Sequence, residues 1–179
     1  LSRDEGEYLD YVWRPKRSVL EIIRDFQPTL KFDLDRLLQV FSPIKPRQFS
    51  IANDNEEFVE LLIAVFKEEM PLGRGFREGL CSKWISSGAI SRELNFVTFT
   101  HGSIKHNLLK NTIFLFASGT GVAPLRSLIQ RYGRDEGRRI YLYFGCRSVE
   151  MDFYFKDEWQ REYPHLTVFA LGSRDDPAN

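Results

Sequence analysis

Phe114-Leu115-Phe116-Ala117-Ser118-Gly119-Thr120-Gly121-Val122-Ala123-Pro124-Leu125-Arg126 is the stretch from which the rest of the chain is read. Thr112 to Ala117 is an apolar run rich in aromatic and β-branched residues, the composition of a buried strand. It breaks at Ser118-Gly119-Thr120-Gly121, and a helical pattern follows through Val122, Leu125, Leu128 and Ile129. A strand that turns through glycines into a helix aims unpaired N–H groups at one point, with the helix dipole behind them. That arrangement suits a phosphate. Pro124 falls in the first turn of the expected helix, where its missing N–H has no intrahelical partner to lose. A lone Gly-Thr-Gly is often only a turn, so the reading needs support from the rest of the chain.

Length allows one sizeable core or two small domains in 179 residues. Hydrophobic residues make up 42%, charged 28% and aromatic 14%, a globular composition with many aromatics. The formal net charge is zero, so no global field favours nucleic acid or an anionic membrane. No apolar run reaches membrane-spanning length, and no signal peptide is recognisable at the N-terminus. Cys81 and Cys146 stand far apart outside any Cys-x-x-Cys, which points to a reducing, cytoplasmic setting. With His101, His106 and His165 they form no metal-ligand spacing, so no metal is expected. Starting at Leu1 and stopping just after an expected strand, the chain reads as a piece of something longer.

Residues 7 to 27 carry an apolar stripe that reads as two helical pieces divided at Pro15. Asp33 is a suitable N-cap for a short helix holding Leu34, Leu37, Leu38 and Phe41. Strands are expected at Arg47–Ala52, Phe58–Phe66 and Leu94–Phe99, with a mobile loop over Met70–Phe76. Gly79–Ile85 reads as a turn entering a short helix. After Asn111 the pattern alternates: strand Ile113–Ala117, helix Val122–Tyr132, strand Ile140–Phe144, helix Asp152–Tyr163, strand Leu166–Leu171. Strands spaced by such helices make a parallel, doubly wound sheet.

Three motifs stand in order along this frame. Arg47-Gln48-Phe49-Ser50 resembles the Arg-x-Tyr-Ser motif of the ferredoxin–NADP reductase superfamily. Gly79-Leu80-Cys81-Ser82-Lys83-Trp84 resembles its Gly-x-Cys-Ser/Thr-x-Trp segment, and Gly119-Thr120-Gly121-Val122-Ala123-Pro124 its nicotinamide-nucleotide loop. Phe144-Gly145-Cys146-Arg147 with Asp152-Phe153-Tyr154 looks like the cytochrome P450 reductase branch. The wording most resembles the NADPH-dependent diflavin oxidoreductase family of cytosolic iron–sulfur protein assembly. Taken singly, Arg47 is a surface ion pair, Phe49 a core residue, Cys146 a small buried hydrophobe and Ser173-Arg174 a loop. Order and spacing together carry the resemblance.

The resemblance implies a mixed α and β fold in three parts: the end of a helical connecting region (1–46), an antiparallel β-barrel for FAD (47–110), and an incomplete doubly wound α/β domain for NADPH (111–179). It implies FAD contacts from Arg47 and Gln48, with Phe49 stacked on the flavin where the commoner residue is tyrosine. Ser50, near flavin N5, is the candidate catalytic residue. Gly79, Leu80, Cys81 and Ser82 would wrap the FAD pyrophosphate. Lys16, or its neighbour Arg17, would stand in for a family arginine on FAD. Gly119, Thr120 and Gly121 would hold the NADPH pyrophosphate, and Ser173 with Arg174 the ribose 2′-phosphate. The implied activity is hydride transfer from NADPH to FAD, with electrons passed to an FMN domain elsewhere in the parent protein. An iron–sulfur acceptor of the anamorsin type is the implied partner, with no nucleic acid or membrane. The family continues past Ser173-Arg174 with further nucleotide contacts, so this chain alone is expected to be a weak reductase or only a binder of FAD or a partner.

Overall fold

The computed structural model describes residues 3–27, 31, 33–88, 97–100, 102 and 111–175. The chain divides into two compact units, Leu1–Arg47 with Val65–Leu94, and Gln48–Ala64 with Asn95–Asn179. Residues 48–64 thus share a unit with the α/β half.

In the first unit, Asp4 caps α1 (Glu5–Tyr8) by accepting the Glu7 N–H at 3.1 Å. The helix widens to a π-helical turn over Leu9–Trp13 and stops at Pro15, as the sequence leads one to expect. Ser18 then opens α2 (Val19–Phe26) with a capping box: its hydroxyl accepts from the Glu21 N–H, and the Glu21 carboxylate accepts from the Ser18 N–H at 2.6 Å. Asp33 caps α3 (Leu34–Val40), accepting the Arg36 N–H at 2.9 Å. Met70–Phe76, expected as a loop, closes an antiparallel hairpin of β1 (Lys67–Glu69) and β2 (Phe76–Glu78). Its turn uses left-handed backbone at Leu72, Gly73 and Gly75, and Met70 anchors it, with its N–H on the Gly75 carbonyl at 2.7 Å and its side chain buried. Both strands are three residues of charged and polar character, too short for hydrophobic alternation to announce them. Gly79 leads into α4 (Leu80–Ser86).

The second unit is built on three parallel strands in sequential order: β3 (Thr112–Ser118), β4 (Arg139–Cys146) and β5 (Leu166–Gly172). A 3₁₀ turn over Gly119–Val122 feeds α5 (Ala123–Tyr132). The helix expected at Asp152–Tyr163 is instead α6 (Val149–Asp152) and α7 (Lys156–Glu162), broken where Phe155 takes a left-handed conformation at φ 60°. The break turns Phe153 and Tyr154 toward Phe144, with ring centroids 5.6 and 6.1 Å away, and leaves the Tyr154 carbonyl to accept the Trp159 indole N–H at 2.9 Å. Packing outweighs helix propensity here.

Leu115, Ile140, Leu142 and Phe144 pack under Val122, Leu125 and Ile129, and under Trp159 and Tyr163 of the α7 region. The helices therefore cover one face of the sheet. On the other face Phe114 and Tyr141 stack at 5.1 Å, and Phe116, Tyr143 and Phe169 form a ladder at 5.0 and 4.8 Å, with Phe116 72% exposed. A doubly wound sheet reverses its strand order to cover both faces; the described strands wind one way only.

Arg47–Ala52 and Phe58–Phe66, expected as strands, meet at a single antiparallel bridge, Ile51 with Leu61. Beside it the Ala52 N–H bonds the Glu60 carbonyl at 2.8 Å, while the Asn53 side chain takes the next rungs, donating to the Phe58 carbonyl and accepting from the Glu60 N–H. A side chain standing in for the backbone ends the ladder. The barrel is not traced among the described residues, and most of the Leu94–Phe99 strand lies outside them. No helix among the described residues is long and apolar enough to cross a membrane.

Candidate functional site

The nucleotide loop forms as its sequence implies. β3 ends at Ser118, Gly119 turns at φ 51°, and no side chain caps the 3₁₀ turn or α5. A Cβ built on Gly119 or Gly121 would meet nothing within 4 Å, so the turn's outer face is open to an approaching group. An uncapped helix start with an open glycine face fits a pyrophosphate. Val122 and Ala123 are buried behind it and hold the turn rigidly.

Ser173 and Arg174 leave the end of β5. Their N–H groups donate to the Cys146 and Arg147 carbonyls at 2.9 and 2.8 Å, which fixes the backbone while both residues stay exposed. Gly119 to Gly121 and Ser173-Arg174 thus follow the C-terminal ends of two parallel strands in one sheet, the edge where such sheets bind ligands. Cys146 lies between them in β4, its Sγ 3.7 Å from the Leu171 carbonyl. Burial, then Asp175 and Asp152, push its thiol above the usual range, so it stays protonated and packs as a small hydrophobe.

In the first unit, Gly79 donates its N–H to the Phe66 carbonyl at 3.0 Å, and Ser82 Oγ accepts the Phe66 N–H at 3.1 Å. The Ser82 hydroxyl, expected on a pyrophosphate, is buried and held within this turn, 3.3 Å from the Gly79 carbonyl. With no side-chain cap on α4, the first-turn amides of Leu80, Cys81 and Ser82 remain the donors suited to a phosphate. Arg47 is exposed, its guanidinium donating to the Lys45 carbonyl. Lys16 sits in left-handed backbone at φ 52° with its ammonium paired to Glu68, and the neighbouring Arg17 pairs with Asp25 and lies 4.4 Å over the Tyr11 ring. Each alternative cation is engaged by a carboxylate within the unit.

Sequence reading missed what pins this region. The Glu21 carboxylate receives the Ser18 N–H and hydroxyl, Arg74 and Arg77, while Arg74 and Arg77 also donate to the Pro15 and Lys16 carbonyls at 2.8 and 2.9 Å. The Ser18 hydrogen bonds, with Arg74, pull the Glu21 carboxyl down to about 2. Ser18-x-x-Glu21 was the legible half of this cluster; the arginines arrive only through the hairpin.

In the second unit, Gln48, Phe49 and Ser50 are exposed, whereas Ala52 and Asn53 just beyond are buried. Nothing in the motif itself hinted that Arg126 would reach this segment, its guanidinium donating to the Ala52 carbonyl at 3.0 Å.

Comparison with known proteins bears on these residues. A family profile described as the oxidoreductase NAD-binding domain matches residues 115–179. NADPH-dependent diflavin oxidoreductase 1 of Debaryomyces hansenii is 36% identical over 96% of this chain, and that of Danio rerio 37% over 92%. The chain spans 29% of the length of each. The Schizosaccharomyces pombe protein of the same name is 35% identical over 94% of the chain and 30% of its own length. Among solved structures, ferredoxin–NADP+ reductase from Plasmodium falciparum superposes with a TM-score of 0.53 at 23% identity, covering 74% of this chain and 52% of that one. The same enzyme with 2′P-AMP superposes with a TM-score of 0.52 at 22% identity, covering 73% and 54%. The shared fold is that of ferredoxin–NADP+ reductase.

Proposed function

The chain is a homologue of the NADPH-dependent diflavin oxidoreductases over 92–96% of its own residues, and we propose that it forms the FAD- and NADPH-binding part of such a reductase. FAD, when bound, accepts a hydride, one proton with two electrons, from NADPH, which leaves as NADP+, and hands the electrons on singly. The observation that carries the reading is the open, uncapped Gly119-Thr120-Gly121 turn between β3 and α5 in a chain related to NADPH-dependent enzymes. Its amides and the Thr120 hydroxyl bind the nucleotide pyrophosphate. Ser173 and Arg174, at the end of β5, take the 2′-phosphate, a group the 2′P-AMP complex of the similarly folded reductase also contains. Arg47, with Gln48, and the first turn of α4 at Gly79, Leu80, Cys81 and Ser82 bind FAD phosphates; Phe49 supplies a stacking face and Ser50 a hydroxyl near the reacting nitrogen. Lys16 serves FAD only by leaving Glu68. The electrons pass to an FMN domain of the parent protein, and from there to an iron–sulfur acceptor of the anamorsin type in the cytoplasm.

The test is flavin uptake. Purified protein titrated with FAD should quench flavin fluorescence and hold the cofactor through gel filtration, and NADPH should then bleach it faster than NADH. Arg47→Ala should weaken FAD binding at least tenfold, since a charge-assisted phosphate contact contributes about 1.5–3 kcal/mol. No flavin retained by the wild-type chain sinks the proposal.

A further inference from the structure

Helix α5 does more than present the nucleotide loop. Arg126 lies in its first turn, five residues past Gly121, and its side chain is only 11% exposed. Its Nε bonds both Glu158 oxygens at 3.1 and 2.8 Å, and its guanidinium carbon sits 4.5 Å over the Phe155 ring. The remaining donors turn to the segment after Ser50: to the Ala52 carbonyl at 3.0 Å and to Glu60 across the bridge. One turn on, Gln130 accepts the Asp54 N–H at 2.8 Å and donates to Glu158 at 3.2 Å. Arg131 grips the Asp54 carboxylate with two nitrogens, at 2.5 to 3.1 Å. Three side chains of one helix therefore hold one short segment, whose buried Ala52 and Asn53 directly follow the exposed Phe49 and Ser50.

We infer that Arg126, supported by Gln130, is a positioning residue that sets the flavin-facing Phe49-Ser50 pair at a fixed distance from the nucleotide loop at the other end of the same helix turn. The inference rests on the proposed function. Its physical basis is that hydride transfer demands reacting atoms within about 3–3.5 Å and aligned, so a small slip of one wall costs rate while leaving each binding site whole. A planar guanidinium fork with four acceptors around it defines one geometry, which a lysine ammonium does not reproduce. A mere brace, in contrast, would alter stability and nothing else.

The experiment compares wild type, Arg126→Gln, Arg126→Lys and Gln130→Ala, each loaded with FAD. It measures FAD affinity by flavin fluorescence, NADP+ affinity by calorimetry, amide exchange over residues 51–60, and the first-order bleaching rate at saturating NADPH. Expected are both affinities within threefold of wild type, faster exchange at Ala52 and Asp54, and bleaching slowed at least tenfold in Arg126→Gln and about threefold in Gln130→Ala. Arg126→Lys should fall between Arg126→Gln and wild type. Because Gln130→Ala leaves the buried Arg126 charge paired, it stays informative if Arg126→Gln fails to fold. Wild-type bleaching in every folded variant overturns the inference, as does a loss confined to nucleotide affinity. Failure of the wild-type chain to take up FAD overturns the proposed function and this inference with it.

Discussion

The Ser82 hydroxyl accepts the Phe66 N–H at 3.1 Å, tying the first turn of α4 to a residue sixteen positions earlier. Phe66 returns the tie through its carbonyl, which accepts the Gly79 N–H at 3.0 Å. The start of α4 is therefore set by two bonds to one peptide residue rather than by a capping side chain.

Ser82→Ala should destabilise the protein by about 1 kcal/mol, the cost of leaving a partly buried N–H without its acceptor. Gly79→Ala should cost about 1–3 kcal/mol, because its Cβ would lie 2.6 Å from Ser82 Oγ and 3.0 Å from Phe66 Cβ. Rotating Ser82 away would break its bond to Phe66. Urea melts of both variants and the double variant test this: the double should be less destabilised than the sum, and strict additivity would show that the two side chains do not meet.

Acid should act through Glu21. The Ser18 N–H and hydroxyl, aided by Arg74, hold its carboxyl at about 2 against an ordinary 4.5. A depressed folded value means the stabilisation is complete above pH 4.5 and drains away as pH falls toward 2. Glu21→Gln should be less stable than wild type at neutral pH by about 1 kcal/mol, modest because the cluster is partly exposed. That gap should shrink across the acid window in chemical melts; a gap unchanged at pH 2.5 would remove Glu21 from the account.

Alkali should act through Tyr163. Burial, then Glu158 and Glu162, push its hydroxyl up from 10.0 to about 12. The unfolded chain loses this proton first, so stability is full below pH 10 and falls as pH rises toward 12. Tyr163→Phe keeps the ring against Trp159 and Arg134 and should flatten that fall. Equal alkaline slopes for the two proteins would contradict the assignment.

Arg174 should discriminate between nucleotides. Its backbone is held by the Arg147 carbonyl and its side chain is exposed, so Arg174→Ala removes a charge without disturbing the turn. Affinity for 2′-phospho-AMP should fall roughly tenfold, as expected for one charge-assisted contact, while AMP binding stays as it was. Calorimetric titration reads both. Equal losses for the two ligands would show that Arg174 supports the turn instead of reading the phosphate.

The sequence by itself determined the α/β half closely. Thr112–Ser118, Arg139–Cys146 and Leu166–Gly172 extend the expected strands by one to three residues in all, and the glycine turn into α5 stands where the apolar run breaks. Buried strands and capped helices are written in local composition, because each burying face must be apolar and each helix start needs its donor or acceptor within a few residues. The motif residues were legible for the same reason: phosphate-binding turns are short and contiguous.

What only the tertiary structure decided are the relationships between distant residues. The polar hairpin of β1 and β2 has no apolar period, so its arginines could not be assigned to Glu21 beforehand. The ladder expected at residues 47–66 shrinks to one bridge because the Asn53 side chain replaces its next rungs. Phe155 abandons the helix so that its neighbours can pack on Phe144, and its own ring comes under Arg126. Arg126 itself reads as an ordinary helix cation until residues 52, 60 and 158 are brought around it. Local propensity chooses an element at a cost of tenths of a kcal/mol per residue, whereas a buried guanidinium left without partners costs several. The partners, scattered along the chain, are supplied only when it folds.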